Sequence, residues 1–551
     1  MEYIKSGNFK YKKYVGKERN LKFILEDKAD EKPEAIKLIY EQDRITYGEL
    51  NRYSNRLANN LLNMGEGKGS HVAVMFNNCP PIIYSWFALS KIGAIWVPTN
   101  PVYKGDILAY TLNNSDSTTL ITRYDYLERL IPIADKLKTL KAVIVYPKRP
   151  HDKEALANLP FHLYSFEDLL ATGSENNPDI KVMDSDIMAI SYTSGTTGDP
   201  KGCLQYQAQA YRFSQNTLLQ RTREGILAPG DIMLTVCPLF HIAGLWVDFY
   251  SSISLDLPIA ITDFSASQFW KTVHDYKASY CYFLGTMPGI LLRTPENEWE
   301  KNNSLRSCLY IPYNDEVQAF KKRFGIKDIA TGYGLSEGHS AFGAINPTKK
   351  TIGKQLSKCK GCVALLREDG FEAARGEPGE ICLRPDPEEP WELFAGYYKN
   401  HEETVKATQA FWLHTGDMAY KDPEGYFIFV DRVKHAIRRG GENISSLRIE
   451  MCISNHPAVA ECAVVAVPSE ISEDEVKAYV LLNPDHDLQI EELVQHLDSN
   501  LPYFMVPRYF EFVTSLPKTA TEKVKKGELK NMGFTGSEID IKTLGIKLKK
   551  K

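Results

Sequence analysis

No stretch of this 551-residue chain is apolar for long enough to cross a membrane. The best attempt, Ile82 to Val97, is interrupted by Lys91 and reads as core. The first residues alternate charge with aromatics where a secretory leader would carry an apolar segment, so no signal peptide is expected. Charge of one sign is also missing. There are 66 Lys and Arg against 70 Asp and Glu, and a net charge of −4 gives no global attraction to nucleic acid or anionic lipid. The basic ends, residues 5–19 and 542–551, read as solvated tails. The ten cysteines show no framework spacing, and Cys359-Lys360-Gly361-Cys362 lacks the second pair a zinc or redox site would need. A reducing, cytoplasmic compartment is expected. Internal repeats and low-complexity tracts are absent.

The length is too great for one compact core, so two or more domains are expected. Thr46-Tyr47-Gly48-Glu49 has the capping-box pattern, and Leu50, Leu57, Ala58, Leu61 and Leu62 follow at helical spacing up to Gly65. His71 to Phe76, Gly93 to Pro98 and Lys141 to Tyr146 are strand-like, with a helix over Ile82 to Leu89. Such alternation implies a layered α/β fold with a largely buried sheet.

The most informative stretch is Ser191-Tyr192-Thr193-Ser194-Gly195-Thr196-Thr197-Gly198-Asp199-Pro200-Lys201-Gly202, directly after the apolar run Ile187 to Ile190. Its glycines allow close backbone approach to a ligand. Successive amides in such a turn form an anion-binding concavity, to which hydroxyls and a lysine add donors and charge. A triphosphate fits that description. The spacing is neither Gly-x-x-x-x-Gly-Lys-Ser/Thr nor a Gly-x-Gly-x-x-Gly after a strand.

At residues 192–202 the chain resembles the adenylate-forming superfamily of acyl-CoA synthetases, peptide-synthetase adenylation domains and luciferase, whose loop reads Tyr-Thr-Ser-Gly-Thr-Thr-Gly-x-Pro-Lys-Gly. Further matches run from about residue 46 to 530. The resemblance implies an α/β protein: a large N-terminal adenylate-forming domain, residues 1–433, of layered α/β subdomains plus a β-rich subdomain. A small mobile α+β C-terminal domain, 434–551, would swing about a hinge at Lys434.

It also implies a site. Thr193, Ser194, Gly195, Thr196, Thr197, Lys201 and Ser336 would hold ATP phosphates. In Thr331-Gly332-Tyr333-Gly334-Leu335-Ser336-Glu337, Gly332 and Tyr333 would meet adenine by stacking. Glu337, with Thr193, would supply hard oxygens to Mg²⁺. Asp417 of Trp412-Leu413-His414-Thr415-Gly416-Asp417 would take both ribose hydroxyls, with Arg432 beside ribose and phosphate. His241, Ala243, Val247 and Gly332 would line the acyl pocket, Ala243 and Val247 sharing a helix face. Asp248 reads first as a solvent-facing acid; the other reading makes it a partner for a cationic substrate. Gly440, Gly441 and Arg438 would meet coenzyme A, and Arg439 reads equally as a CoA contact or a solvated arginine. Lys523 would be the catalytic lysine beside Lys201 and Glu337, while Lys518, Lys525 and Lys526 read as surface charges. Two departures stand out: Tyr310-Ile311-Pro312-Tyr313 replaces a Gly-Gly-Ala-Pro-like turn, and Glu522 stands where the family has glycine.

The implied reaction is ATP-dependent ligation of a carboxylic acid to CoA through an acyl-adenylate, releasing pyrophosphate and then AMP. ATP, Mg²⁺ and coenzyme A are the implied cofactors. The branch most resembled is that of crotonobetaine/carnitine–CoA ligases, so the acid is expected to be carnitine-like or of short to medium chain. Two alternatives are carried: transfer to a carrier-protein thiol, and a non-catalytic nucleotide-binding protein. Expected partners are the small molecules alone, without nucleic acid or membrane insertion, and a homodimer is kept open.

Overall fold

The structure is a computed structural model and describes residues 2–147, 159–193, 199–285, 287–314, 316–356, 361–432, 437–439, 442–444, 446–470, 473–484, 486–517, 524 and 526–548. Two large sheets organise the described residues up to Arg432. An eight-stranded sheet runs in the order Gly396–Tyr397, Lys201–Tyr206, Ile187–Thr193, Ile95–Pro98, His71–Met75, Thr119–Arg123, Ala142–Tyr146, His162–Ser165. Its last six strands are mutually parallel. The central strands His71–Met75, Thr119–Arg123 and Ala142–Tyr146 are buried on both faces and read as apolar runs rather than alternations.

A thirteen-stranded sheet has a parallel half and an antiparallel half. The parallel strands are Ile36–Tyr40, Ile259–Ile261, Met233–Thr235, Tyr280–Leu284, Ser307–Ile311 and Asp328–Tyr333. From Phe342–Ile345 onward the neighbours are antiparallel, ending with Tyr426–Arg432, Leu413–Lys421, Gly379–Leu383 and Val363–Leu366. This antiparallel half is the β-rich part.

Local chemistry accounts for the helices between the sheets. Thr46 Oγ1 accepts the Glu49 N–H at 3.2 Å and Glu49 Oε2 accepts the Thr46 N–H at 3.0 Å, which starts helix Tyr47–Asn63. Such a cap is worth about 1 kcal/mol. Leu50, Leu57 and Leu61 on the inner face are fully buried, each worth roughly 1.5–3 kcal/mol against exposure. Helix Pro80–Lys91 is buried along its whole length and opens on prolines, whose missing N–H groups would be unpaired there anyway. Lys91 ends it, bonded to Glu26 at 2.8 Å, and burial holds its amine down at about 8.

The small unit packs helices Ser446–Ser454, Ile490–Asn500 and Lys526–Met532 against a four-stranded sheet of Val459–Pro468, Asp474–Leu482, Tyr509–Phe512 and Ile539–Asp540, an α+β arrangement. It docks on the large one through Arg448 Nη1, which donates to Asp199 Oδ1 at 2.9 Å, and through the Lys104–Asp498 pair at 3.6 Å. The boundary and hinge expected at Val433 and Lys434 lie outside the described residues.

Three expectations are corrected. The amino terminus is no tail: Glu2–Ser6 and Phe9–Lys13 form a hairpin that buries Phe9 and Tyr11, while Lys12 pairs with Asp27 and Glu31. The alternation of apolar and basic residues in Phe9–Lys13 is a strand with one face inward. Lys526 is no loose surface charge, since its Nζ donates to Ser446 Oγ and Glu450 Oε2, each at 2.8 Å. Asp248 does not face solvent; it is wholly buried in the wide-turned π-helix Ala243–Phe249.

Candidate active site

The carboxyl ends of the parallel strands in both sheets converge on one cavity of about 840 Å³. Pro98, Thr193, Leu284, Ile311 and Tyr333 are each the last residue of a strand, and all five line it. Ligand sites form at this edge because the strand ends splay there and loops can vary without disturbing the sheet.

Strands Ile187–Thr193 and Lys201–Tyr206 are an antiparallel pair in which Thr193 stands opposite Lys201. Ser194, Gly195, Thr196 and Thr197 lie outside the described residues; Thr193 and Lys201, flanking them, both line the cavity. Lys201 Nζ is ion-paired with Glu403 and sits 5.2 Å from the centre of the Tyr397 ring. Hydrogen bonding to Lys201, with Lys406 adding to it, holds the Glu403 carboxyl down at about 2. Tyr397 OH donates to Glu337 Oε1 at 3.0 Å. Burial and then Glu337 push that phenol well up, so it remains a donor. Ser336 is buried beside Glu337, and its carbonyl accepts from Gln205 Nε2 and Gln209 Nε2, each at 3.1 Å.

Tyr333 OH donates to Asp417 Oδ2 at 2.7 Å, which joins two motifs 84 residues apart. Gly334, next to Tyr333, lies close against Phe213, where a Cβ would come 2.5 Å from Cζ. At Gly332 a Cβ would lie 2.9 Å from the Phe342 carbonyl. The turn before Asp417 is fixed by Glu380: Oε1 accepts the Gly416 N–H at 2.8 Å and Oε2 lies 2.8 Å from His414 Nδ1. Arg432 is the cross-strand partner of Asp417 in the backbone register.

The other half of the cavity is more apolar. Ala243 and Val247 line it from the π-helix, facing Tyr282, Leu309 and Ala330. His241 lines the cavity and its side chain is exposed there; desolvation by the surrounding walls, followed by the nearby Arg438, holds its imidazole down at about 4. Asp248 does not line the cavity; burial pushes its carboxyl up to about 7, with Arg221 and Thr235 pulling the other way. The altered turn still builds wall, through Ile311, Pro312 and Tyr313.

Arg438 reaches the cavity from the small unit, on strand Ile437–Arg439, and pairs with Glu473 at 3.5 Å. Arg439 is neither a cavity residue nor a solvated one. Its Nη1 donates to the Phe504 and Val506 carbonyls at 3.1 and 2.7 Å, and its Nε lies 2.8 Å from Glu475. Lys434, Gly440, Gly441, Glu522 and Lys523 lie outside the described residues.

Sequence reasoning missed several lining residues: Glu403, Tyr397, Asn100, Tyr103, Glu442 and Arg221. Only Arg221 left a usable signal. Phe213, Thr217, Gln220 and Arg221 recur at helical spacing within Gln207–Arg223, immediately after the loop strand. The Arg221 guanidinium is nearly buried and donates to Tyr280 OH at 2.8 Å, to Ser251 Oγ and Thr217 Oγ1 at 2.9 Å, and to the Val247 carbonyl at 3.2 Å. It therefore ties the pocket helix to the π-helix.

Comparison with known proteins accords with this geometry. A family model described as "AMP-binding enzyme" matches residues 25–398, and one described as "AMP-binding enzyme C-terminal domain" matches 448–523. The crotonobetaine/carnitine–CoA ligase of Citrobacter koseri is 30% identical over 530 residues, covering 93% of this chain and 99% of that protein. That of Proteus mirabilis is 31% identical, again over 93% and 99%. Among solved structures, the o-succinylbenzoate CoA synthetase of Bacillus subtilis superposes with a TM-score of 0.76 at 24% identity, covering 92% of this chain and 98% of that one. The amide bond synthetase of Marinactinospora thermotolerans gives 0.79 at 21% identity, over 93% and 99%; at such identities the likeness speaks for the fold. No helix among the described residues is long and apolar enough to cross a membrane. With a family model spanning two thirds of the chain and relatives matched from end to end, this protein belongs to the AMP-binding enzyme family.

Proposed function

We propose that the protein is an AMP-forming acid–CoA ligase that joins a small carboxylic acid to coenzyme A in two half-reactions. The observation that carries this is one cavity holding three chemistries together: Lys201, Thr193 and Glu337 at one end, Tyr333 and Asp417 beside them, and the Ala243–Val247 wall opposite. In the first half-reaction a carboxylate oxygen bonds to the α-phosphorus of ATP as the bond to pyrophosphate breaks. Charge spreads over phosphoryl oxygens, so fixed positive groups do most of the catalysis. Lys201 supplies one, once ATP phosphates replace Glu403 as its partner. Asp417, held by Tyr333 OH, is the acceptor for the ribose hydroxyls, and Arg432 stands across the strand from it. Ser336 and the loop residues 194–197 are the further phosphate ligands, and Lys523 is the second catalytic cation.

Glu337 and Thr193 offer only hard oxygens, and Glu337 is already anchored by Tyr397, so the set suits Mg²⁺ held chiefly by ATP phosphates. Bound there, the metal would neutralise phosphate charge. In the second half-reaction the CoA sulfur bonds to the acyl carbon and AMP leaves. Domain rotation about Lys434, with residues 1–433 and 434–551 as the two bodies, would set Gly440 and Gly441 on the thiol's path beside Arg438, which already reaches the cavity, and withdraw Lys523.

The wall bears on the acid. A fixed cation such as the trimethylammonium of carnitine needs an acidic or aromatic partner. Asp248 is sealed behind the wall, while Phe213, Phe240, Tyr282 and Tyr313 line the cavity and present aromatic faces. The lining thus suits a carnitine-like acid as well as an uncharged short to medium one. The nine described cysteines are all free, which suits a reducing cytoplasm. Exposed Val405 and Phe411 offer apolar surface for a homodimer, which light scattering would detect or exclude.

ATP–pyrophosphate exchange and thioester formation across short, medium and aromatic acids, carnitine and crotonobetaine test the proposal. Acid-dependent exchange followed by a CoA thioester is expected. Exchange without thioester on free CoA would point to a carrier-protein thiol, and ATP binding without exchange would remove catalysis.

A further inference from the structure

Strands Gly379–Leu383 and Leu413–Lys421 are antiparallel neighbours, and Cys382 stands directly opposite His414 in their register. Glu380, two residues before Cys382, projects on the same face because side chains alternate along a strand. Glu380 carboxylate oxygen, Cys382 Sγ and a His414 ring nitrogen all lie within 4.8 Å of one another. His414 Nδ1 is 2.8 Å from Glu380 Oε2 and 3.5 Å from Cys382 Sγ.

These contacts share one proton unevenly. Protonated, Nδ1 donates to the carboxylate and offers the sulfur only the weak second arm of a bifurcated bond; bare, it faces an acceptor-only carboxylate. Cys382 is fully buried, and His414 is the one hydrogen-bond partner its sulfur has among the described residues. Three lone-pair donors thus converge on a point that a single proton serves well only at the oxygen. A divalent cation serves all three. Zinc bonds of about 2.0 Å to nitrogen and oxygen and about 2.3 Å to sulfur separate tetrahedral ligand atoms by about 3.3–3.6 Å. The sulfur–nitrogen spacing already matches, and the nitrogen–oxygen spacing need open by only about half an ångström. Glu380 Oε1 can keep the Gly416 N–H meanwhile.

We propose that Glu380, Cys382 and His414 form a binding site for one thiophilic divalent cation of the zinc class, separate from the Mg²⁺ set at Glu337 and Thr193. Glu380 and His414 line the cavity, so the fourth coordination position opens into it. The mixed sulfur, nitrogen and oxygen donors select zinc or cobalt over magnesium. Burial pushes the Cys382 thiol up, so the cation must displace the thiol proton to solvent on binding. Metal there would clamp the Thr415–Asp417 turn. Resting on the nucleotide reading above, we expect it to weaken ATP binding by fixing Asp417 against adjustment.

The test is titration of the chelator-treated full chain with Co²⁺, then Zn²⁺, in excess Mg²⁺. One equivalent of Co²⁺ should bind with a thiolate-to-cobalt charge-transfer absorption, displaced by Zn²⁺. Cys382→Ser should abolish the band. Glu380→Gln, which keeps an acceptor for Gly416, should weaken cobalt binding at least tenfold. Absence of the band in the wild type, its persistence in Cys382→Ser, or unchanged affinity in Glu380→Gln overturns the site, and the last decides the matter even if Cys382→Ser misfolds. The same zinc equivalent should raise the KM for ATP in the wild type and not in Cys382→Ser. A bound metal with no change in KM refutes the coupling to nucleotide, while the spectra stand apart from the functional reading.

Discussion

Replacing Glu403 with glutamine should tighten the protein's hold on ATP. In the structure Lys201 is not waiting for phosphate; it is paired with Glu403, whose carboxyl is held at about 2 against an ordinary 4.5. At about 1.4 kcal/mol per pK unit, that depression represents roughly 3 kcal/mol. Lys201 and Lys406 share it, so about half, roughly 1.5 kcal/mol, belongs to Lys201 and must be given up when ATP arrives. The Glu403 side chain is 23% exposed, and solvent trims the figure further. Glu403→Gln should therefore lower the KM for ATP about three- to tenfold in pyrophosphate exchange, with kcat little changed. The sign with pH is fixed. A depressed carboxyl stabilises above its unfolded value of about 4.5 and loses that contribution as pH falls through about 2, so the ratio of the two KM values should be flat near neutrality. A raised KM in Glu403→Gln would refute the reasoning and show that Glu403 positions Lys201 rather than competing for it.

Asp417→Asn should raise the KM for ATP about ten- to a hundredfold, the worth of a charged hydrogen bond of roughly 1.5–3 kcal/mol, measured by the same exchange assay. Ala243→Leu should cut kcat/KM for longer acids tenfold or more while sparing the shortest, read from the thioester panel. Asp248 is raised from 3.8 to about 7 in the fold, so its contribution falls as pH rises from about 4 through 7, by up to roughly 4 kcal/mol. Asp248→Asn should thus match the wild type in Tm near pH 4 and exceed it by a growing margin up to pH 8; equal pH slopes would refute the burial argument. Arg448→Ala, which frees Asp199, should slow thioester formation several-fold more than exchange, compared in single-turnover assays.

Contiguous motifs made much of this protein legible. The capping box at Thr46 and Glu49 needs four residues, and the glycine–hydroxyl loop needs twelve, so neither depends on tertiary structure. The same holds for Tyr333 and Asp417 taken singly, although their hydrogen bond joins strands distant in sequence. What stayed hidden depends on such joining. Glu403 becomes a partner of Lys201 across 202 positions, and Tyr397 meets Glu337 across 60. Asp248 was misread because one acid among Trp246, Val247, Phe249 and Tyr250 carries no sign of facing inward; only its neighbours Arg221 and Thr235 reveal that. The amino-terminal hairpin was misread for a simpler reason, since its lysines outnumber the aromatics that bury it.

The facing of Thr193 and Lys201 across two hydrogen-bonded strands has a further meaning for how such a protein can change. The gauge between hydroxyl and ammonium is set by the ladder, not by the span that joins its rungs. A change of length in that span would leave this distance as it is while displacing the phosphate ligands proposed at 194–197. A slip of one rung would instead turn one of them to the opposite side of the sheet. The two constraints are therefore separate: the strands hold the hydroxyl and the ammonium in register, and the span between them answers only to its ligand.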